Sequence, residues 1–127
     1  MNGKIALEEH FAIEETLDDS KAFFSARVWT ELKSRLLDIQ DRRLREMDAN
    51  GIEMTLLSLN APAVQSIPDP SLAIDLARRA NDQLAEEVAR NPTRFQGLAA
   101  LPMQDPDAAA REYTRCVKEL GFRGALV

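Results

Sequence analysis

Hydrophobic and polar residues follow two kinds of pattern along this chain. Short, nearly continuous apolar runs over residues 52–59 (IEMTLLSL) and 95–101 (FQGLAAL) are typical of strands buried on both faces. A shorter run over residues 4–8 predicts a first strand, and FRGALV at 122–127 predicts the beginning of a fourth. The stretches between the later strands carry apolar residues every three or four positions, which is the period of an amphipathic helix.

Three helices are predicted between these strands. The first is capped by Asp38 and stops at Gly51. The second and third begin at Asp69-Pro70 and Asp105-Pro106, where the aspartate caps the helix and the proline fits its first turn. They end at Asn91-Pro92 and at Gly121, respectively. The apolar face of the third helix is predicted to contain Ala109, Tyr113, Val117 and Leu120.

Residues 14–30 show no clear period, and we expect a long loop there with one short helix. Strands that alternate with helices predict a parallel sheet with right-handed crossovers, which is an α/β fold. A doubly wound sheet fits the length of 127 residues, but no glycine-rich phosphate loop follows the first strand. A (β/α)₈ barrel is the alternative. Because the chain ends on a strand pattern, GALV, we expect it to be the front part of something longer.

Composition and charge narrow the classes of function. Hydrophobic residues make up 45% of the chain and charged residues 29%, which is typical of a globular domain. The net charge is -5, so we do not expect the protein to bind nucleic acid. Cys116 is the single cysteine, which excludes an internal disulfide and fits a reducing compartment. Neither a signal peptide nor an apolar stretch of membrane-spanning length is evident, so we expect a cytoplasmic protein without a membrane partner.

The first strand runs into a cluster of chemically active side chains, Glu8, Glu9 and His10, the last being the single histidine. Side chains alternate along a strand, so Glu8 and His10 point the same way and Glu9 points to the other side. A carboxylate and an imidazole that project together are ordinary ligands for zinc or manganese. A working site needs at least three protein ligands, however, and a plain polar strand end fits this spacing as well.

Four segments of the chain resemble the N-terminal portion of the hydroxybenzoate decarboxylases in the amidohydrolase superfamily. The resemblance is greatest to the γ-resorcylate (2,6-dihydroxybenzoate) and 2,3-dihydroxybenzoate group, and it is carried most specifically by ALEEHF and LAALPMQDP. The matching segments are KIALEEHFAI, RLREMDANGIEMTLLSLNAPAVQ, ARRANDQLAEEVARNPTRFQGLAALPMQDPDAA and RCVKELGFRGALV. This resemblance implies that residues 1–127 are the N-terminal part, about four strands, of a single metal-dependent (β/α)₈ TIM barrel domain.

The resemblance also implies a reaction, the non-oxidative decarboxylation of a hydroxybenzoate such as 2,6- or 2,3-dihydroxybenzoate with release of CO₂. Glu8 and His10 would be two ligands of a divalent metal ion, either zinc or manganese, with magnesium as a further option. The remaining ligands and the catalytic acid and base are expected beyond Val127. A small aromatic carboxylate substrate, a homo-oligomer (dimer or tetramer) and the absence of an organic cofactor are implied as well.

Two alternatives to this function stay open. The chain is either a catalytically inactive, truncated remnant of such an enzyme, or part of a related amidohydrolase-type hydrolase. Hydrolases of the superfamily typically carry His-x-His where this chain has Glu8-x-His10, which argues against the second alternative.

Other residues are predicted to line the mouth of the pocket if the barrel forms. Phe23 and Phe24, in the first long loop, are candidates for stacking on an aromatic substrate, although aromatic residues also pack loops onto a domain. Asn60 and the small Ala61 follow the second strand, where they leave room for a flat ring or simply form a turn. The segment 102–104 is a weaker candidate.

Overall fold

The computed structural model describes residues 3–127 and contains one parallel sheet. Its strands pair in the order in which they occur along the chain, each with the next. They are β1 (Lys4–Phe11), β2 (Ile52–Leu59), β3 (Phe95–Ala99) and β4 (Gly124–Ala125). His10 lies opposite Ser58 in this register.

The strand order distinguishes the two architectures that the sequence left open. In a doubly wound sheet the direction of the crossovers reverses, so the first strand lies inside the sheet. Here β1 lies at one edge and every crossover advances by one strand in the same direction. Right-handed crossovers in one direction place all helices on one face of the sheet, as in the wall of a (β/α)₈ barrel. The doubly wound alternative is therefore wrong, and the prediction of an N-terminal barrel part is confirmed.

Four α-helices connect and flank these strands. The predicted helix starts at the two Asp-Pro pairs are confirmed: Asp69 Oδ1 accepts the backbone N–H of Ser71 at 2.8 Å, and Asp105 Oδ1 accepts that of Ala108 at 2.9 Å. The helices are α1 (Ala26–Leu37), α2 (Arg42–Ala49), α3 (Pro70–Arg90) and α4 (Pro106–Lys118), with shorter 3₁₀ helices at Leu17–Phe23 and Ala63–Ser66. None of the helices described is long and apolar enough to cross a membrane.

The prediction of a long loop with one short helix over residues 14–30 is confirmed only in part: the 3₁₀ helix is the short helix, but α1 begins at Ala26, inside the predicted loop. Ser25 caps α1 by accepting the backbone N–H of Val28. Trp29, Leu32 and Leu36 then pack against Ala12 and Leu17 in a small separate core. Their helical spacing is present in the sequence, but the charged residues around them obscured it.

Several predicted element boundaries also need correction. The helix expected from Asp38 begins at Arg42, because the Asp38 carboxylate caps the preceding turn by accepting the N–H groups of Asp41 and Arg42. Gly51 follows this helix with φ 66°, a conformation that glycine adopts without strain. Strand β1 extends to Phe11 because its last residues pair with β2. Strands β3 and β4 are shorter than predicted.

The predicted apolar face of α4 is largely wrong. Its buried residues are Ala108, Ala109, Glu112 and Cys116. Tyr113 and Val117 are 43% and 38% exposed, and only Ala109 and the partly buried Leu120 match the prediction. The buried stripe includes Glu112, whose carboxylate receives hydrogen bonds from Asn81 and Arg115 and so tolerates burial.

The main hydrophobic core lies between the sheet and the helices. Leu57 and Phe95 from the sheet and Leu84 from α3 are completely buried there. Gly97 lets the Phe122 ring approach closely, since a Cβ atom at this position would lie 2.6 Å from the ring. Side chains alternate along β2, so Met54, Leu56 and Ser58 belong to the opposite face, the one that carries the inner side chains of a barrel.

Candidate metal centre

His10 lies close to the carboxyl end of β1, on the side of the sheet where barrel enzymes place their active sites. Its ring Nδ1 is 2.9 Å from the hydroxyl oxygen of Ser58, its register partner on β2. Ser58 is 2% exposed, so this contact is sheltered from water. The other ring nitrogen, Nε2, makes no hydrogen bond with the residues that the structure describes. It is the ring atom available to a ligand.

The backbone of His10 is held by Arg43 of α2. Arg43 Nη2 donates to the His10 carbonyl oxygen at 2.6 Å, and Nη1 lies 3.4 Å from a carboxylate oxygen of Glu9. Burial lowers the pKa of the Arg43 guanidinium, and the charge of Glu9 opposes this effect. Glu9 is thereby engaged with α2, whereas Glu8 is exposed.

A cavity of about 710 Å³ opens beside β1 and brings the predicted site residues together. Such a volume is in the range of small-molecule sites. Residues predicted from the sequence that line it are Glu8, His10, Phe23, Phe24, Asn60 and Ala61. The segment 102–104 is not part of this lining. Gln104 instead donates to the carbonyl oxygens of Val64 and Ile67, both at 2.7 Å.

The loop candidates differ in how free their side chains are. Phe23 is 71% exposed, whereas Phe24 stacks on Trp29 with ring centroids 6.4 Å apart. Asn60 is buried, and its amide donates to the Thr16 carbonyl at 2.8 Å and to Ser20 Oγ at 2.9 Å. Its side chain therefore ties the first loop to the end of β2, which leaves Phe23 and Ala61 as the freer candidates for contact with a substrate.

Reasoning from the sequence missed two residues that hold His10. Ser58 is a polar residue in an apolar strand. Its proximity to His10 becomes apparent only from the register of β1 and β2. Arg43 lies in the charged stretch DRRLREMD, and the sequence does not distinguish it from its more exposed neighbours. The structure does, because the Arg43 side chain is only 12% exposed.

The carboxylate of Glu8 and the imidazole of His10 fit the donor chemistry of zinc or manganese. Within residues 3–127, however, no group of three or more histidine, cysteine, aspartate or glutamate side chains is arranged to hold a metal ion. Cys116 does not supply a thiolate, because burial and the neighbouring Glu112 raise its pKa to about 12. Glu8 and His10 are therefore two candidate ligands, fewer than the three that a working metal site needs.

A sequential parallel sheet with its helices on one face is the opening part of a (β/α)₈ barrel, and a Glu-x-His pair lies near the end of its first strand. In agreement with this, the family model described as amidohydrolase matches residues 16–127. The chain therefore belongs to the amidohydrolase family.

Several of the proteins to which the chain is similar are decarboxylases. The chain is 71% identical over all 127 residues to a γ-resorcylate decarboxylase of Polaromonas sp. strain JS666, and it spans 39% of the length of that relative. A crystal structure of a dihydroxybenzoic acid decarboxylase from the same organism, with bound manganese and the inhibitor 2-nitroresorcinol, matches with a TM-score of 0.98 and 71% identity. The match covers 100% of this chain and 38% of the chain in that crystal structure.

A second solved structure is a 2,6-dihydroxybenzoate decarboxylase in complex with 2,6-dihydroxybenzoate. It is 66% identical, with a TM-score of 0.98, and the match covers 100% of this chain and 39% of the other. This chain thus corresponds to well under half of each of these relatives.

Proposed function

We propose that this chain is the N-terminal part of a metal-dependent enzyme that decarboxylates a dihydroxybenzoate, with 2,6-dihydroxybenzoate as the first substrate to test. The observation that carries the proposal is the 71% identity to a γ-resorcylate decarboxylase along the whole chain, including the strand with Glu8 and His10. Manganese in a similar solved structure supports a divalent cation as the cofactor.

Glu8 and His10 are the residues of this chain that would hold the metal ion. Both line the same cavity, and the hydrogen bond at Nδ1 of His10 leaves Nε2 for coordination. A divalent cation bound there would supply positive charge that orients a carboxylate and an adjacent phenolic oxygen and stabilises negative charge on them. Phe23 and Ala61 line the same cavity and offer apolar surface to an aromatic ring.

The reaction replaces the carboxylate of the ring by a proton. A proton adds to the ring carbon that bears the carboxylate, the C–C bond breaks, and its electron pair restores the aromatic ring as CO₂ leaves. No electrons are gained or lost overall, so the reaction needs no redox cofactor. The general acid for this step is expected beyond Val127, as the resemblance to the hydroxybenzoate decarboxylases implies.

The test uses the native protein that contains this chain, after its intact mass has been measured. Loss of 2,6-dihydroxybenzoate, formation of resorcinol and metal content would be followed together with added manganese or zinc. Glu8→Gln should lose both the metal and the activity, because a neutral amide is a much weaker ligand than a carboxylate. Glu14→Gln is the matched control and should keep both, because it removes an exposed carboxylate that does not line the cavity. A Glu8→Gln protein with full metal content would overturn the ligand assignment.

One observation favours a second candidate function, that of a catalytically inactive remnant: the described residues offer no third metal ligand. If a protein of only these residues exists in the cell, we propose that it binds manganese weakly and does not decarboxylate. An intact mass of 14.2 kDa for the native protein, together with turnover of 2,6-dihydroxybenzoate, would exclude this inactive remnant. Hydrolysis of an amide without decarboxylation would instead favour a related hydrolase.

The proposed assembly, native metal and lack of an organic cofactor rest on the resemblance, and the proposed location rests on the sequence composition. We propose a cytoplasmic homo-oligomer, a dimer or tetramer, with zinc or manganese as the native metal and no organic cofactor. Light scattering on the native protein tests the assembly, and elemental analysis of protein purified without added metal tests the choice of ion. A monomer in solution would contradict the first of these proposals.

A further inference from the structure

We infer that Ser58 is a positioning residue that holds the His10 ring in the tautomer with its proton on Nδ1, so that Nε2 carries the lone pair for a metal ion. This inference rests on the proposed function, because it concerns one of the two proposed ligands. It assigns a role to a residue that neither lies on the ligand strand nor coordinates the metal itself.

The contact between the two residues is set by the sheet. His10 and Ser58 are direct partners in the parallel register of β1 and β2, and both precede the loops at the carboxyl ends of these strands. The 2.9 Å separation between Nδ1 and Oγ is an ordinary hydrogen-bond length. Because Ser58 is 2% exposed, a water molecule does not readily replace its hydroxyl.

The second contact of the Ser58 hydroxyl favours one direction for this hydrogen bond. The Ser58 hydroxyl has one proton to donate, and the Glu9 carbonyl oxygen, which only accepts, lies 3.5 Å from the same Oγ. When the hydroxyl donates to this carbonyl, its lone pair faces Nδ1 and accepts an N–H from the ring. A neutral imidazole with a proton on Nδ1 has its lone pair on Nε2. In this arrangement the ring N–H has an acceptor and the hydroxyl proton points toward a carbonyl oxygen.

The histidine is restrained at its backbone as well, by the bond from Arg43 to its carbonyl oxygen. The ring is thus held at Nδ1 and the main chain at the carbonyl before any ligand arrives. A histidine that binds a metal through one ring nitrogen usually donates the N–H of the other ring nitrogen to a hydrogen-bond acceptor. Loss of that acceptor typically weakens metal binding about 10- to 100-fold.

The experiment compares Ser58→Ala with the wild type in the full native protein, prepared without metal. ¹⁵N NMR of the neutral ring reports the tautomer of His10, with its signal assigned by comparison with His10→Gln. Titration with Mn²⁺ alone, followed by electron paramagnetic resonance, reports the affinity. Ser58→Thr keeps the hydroxyl, and Ser66→Ala removes a different serine hydroxyl, one that donates to the Ala63 carbonyl and does not touch His10.

We expect Ser58→Ala to move the ring toward the Nε2-protonated tautomer and to weaken Mn²⁺ binding about 10- to 100-fold. Ser58→Thr should retain the wild-type tautomer, and Ser66→Ala should match the wild type in both measurements. An unchanged tautomer in Ser58→Ala, or a changed tautomer with unchanged Mn²⁺ affinity, would overturn the inference. If His10→Gln binds Mn²⁺ like the wild type, the proposed function fails instead, and the NMR comparison still decides what Ser58 does.

Discussion

Arg43 of α2 donates a 2.6 Å hydrogen bond to the carbonyl oxygen of His10, so a buried cation fixes the strand end that carries the candidate ligand. The same guanidinium pairs with Glu9, the residue between the two candidate ligands. Helix α2 thereby positions the strand end that carries His10, although it contributes no candidate ligand.

Replacement of Arg43 by methionine should destabilise the protein by about 1–3 kcal/mol, because the His10 carbonyl loses a charged donor in a buried place. Arg42→Met is the matched control. Arg42 pairs with Glu31 and Glu46 on a more exposed surface, so its loss should destabilise the protein clearly less than the loss of Arg43. Urea unfolding of both variants measures the difference, and equal losses would contradict the proposed importance of Arg43.

Gly97→Ala should be destabilising by about 1–3 kcal/mol, since the added methyl group would lie 2.6 Å from the Phe122 ring and force a shift in the core. Gly124→Ala is a suitable comparison, because Gly124 is also in a strand but its nearest neighbour would be 3.7 Å away. Thermal unfolding of the two variants gives the measurement. A Gly97→Ala protein as stable as Gly124→Ala would show that the ring moves freely.

Acid should destabilise the contact between α3 and α4. Burial alone would raise the pKa of Glu112, but hydrogen bonds from Arg115 and Asn81 outweigh it and lower the pKa below its usual 4.5. The folded state therefore binds the proton less tightly than the unfolded state, so this carboxylate stabilises the fold above about pH 4.5. That contribution is lost as the pH falls through the lower pKa of the folded state.

Glu112→Gln tests this dependence, because a glutamine has no charge to lose in acid. The stability of the wild type should fall more steeply than that of Glu112→Gln between neutral pH and about pH 3. Urea unfolding at several pH values gives both curves. Parallel curves would mean that Glu112 makes no pH-dependent contribution.

Cys116 should resist alkylation in the folded protein. Its thiol is buried and its pKa is raised to about 12, chiefly by burial, so almost no thiolate is present at pH 8. Iodoacetamide labelling followed by mass spectrometry should show little modification at this pH, and complete modification once urea unfolds the chain. Rapid labelling of the folded protein would contradict the buried position of this side chain.

Much of the fold could be predicted from local pattern. The strand over residues 52–59 and the two helices that begin at Asp-Pro pairs are found where the sequence placed them, because a buried apolar run and a helix cap are local properties. Helix α1 and the buried stripe of α4 were missed. In both cases polar residues interrupt the pattern, and contacts with distant parts of the chain decide which side chains are covered.

The sequence by itself determined the succession of strands and helices, and the alternation of side chains along a strand predicts that Glu8 and His10 project together. The tertiary structure decided the direction in which the sheet grows and which residues hold His10. Ser58 and Arg43 are 48 and 33 positions away from it along the chain. Contacts of this range depend on strand register and on how a helix packs against the sheet, and no local pattern of hydrophobic and polar residues encodes either one.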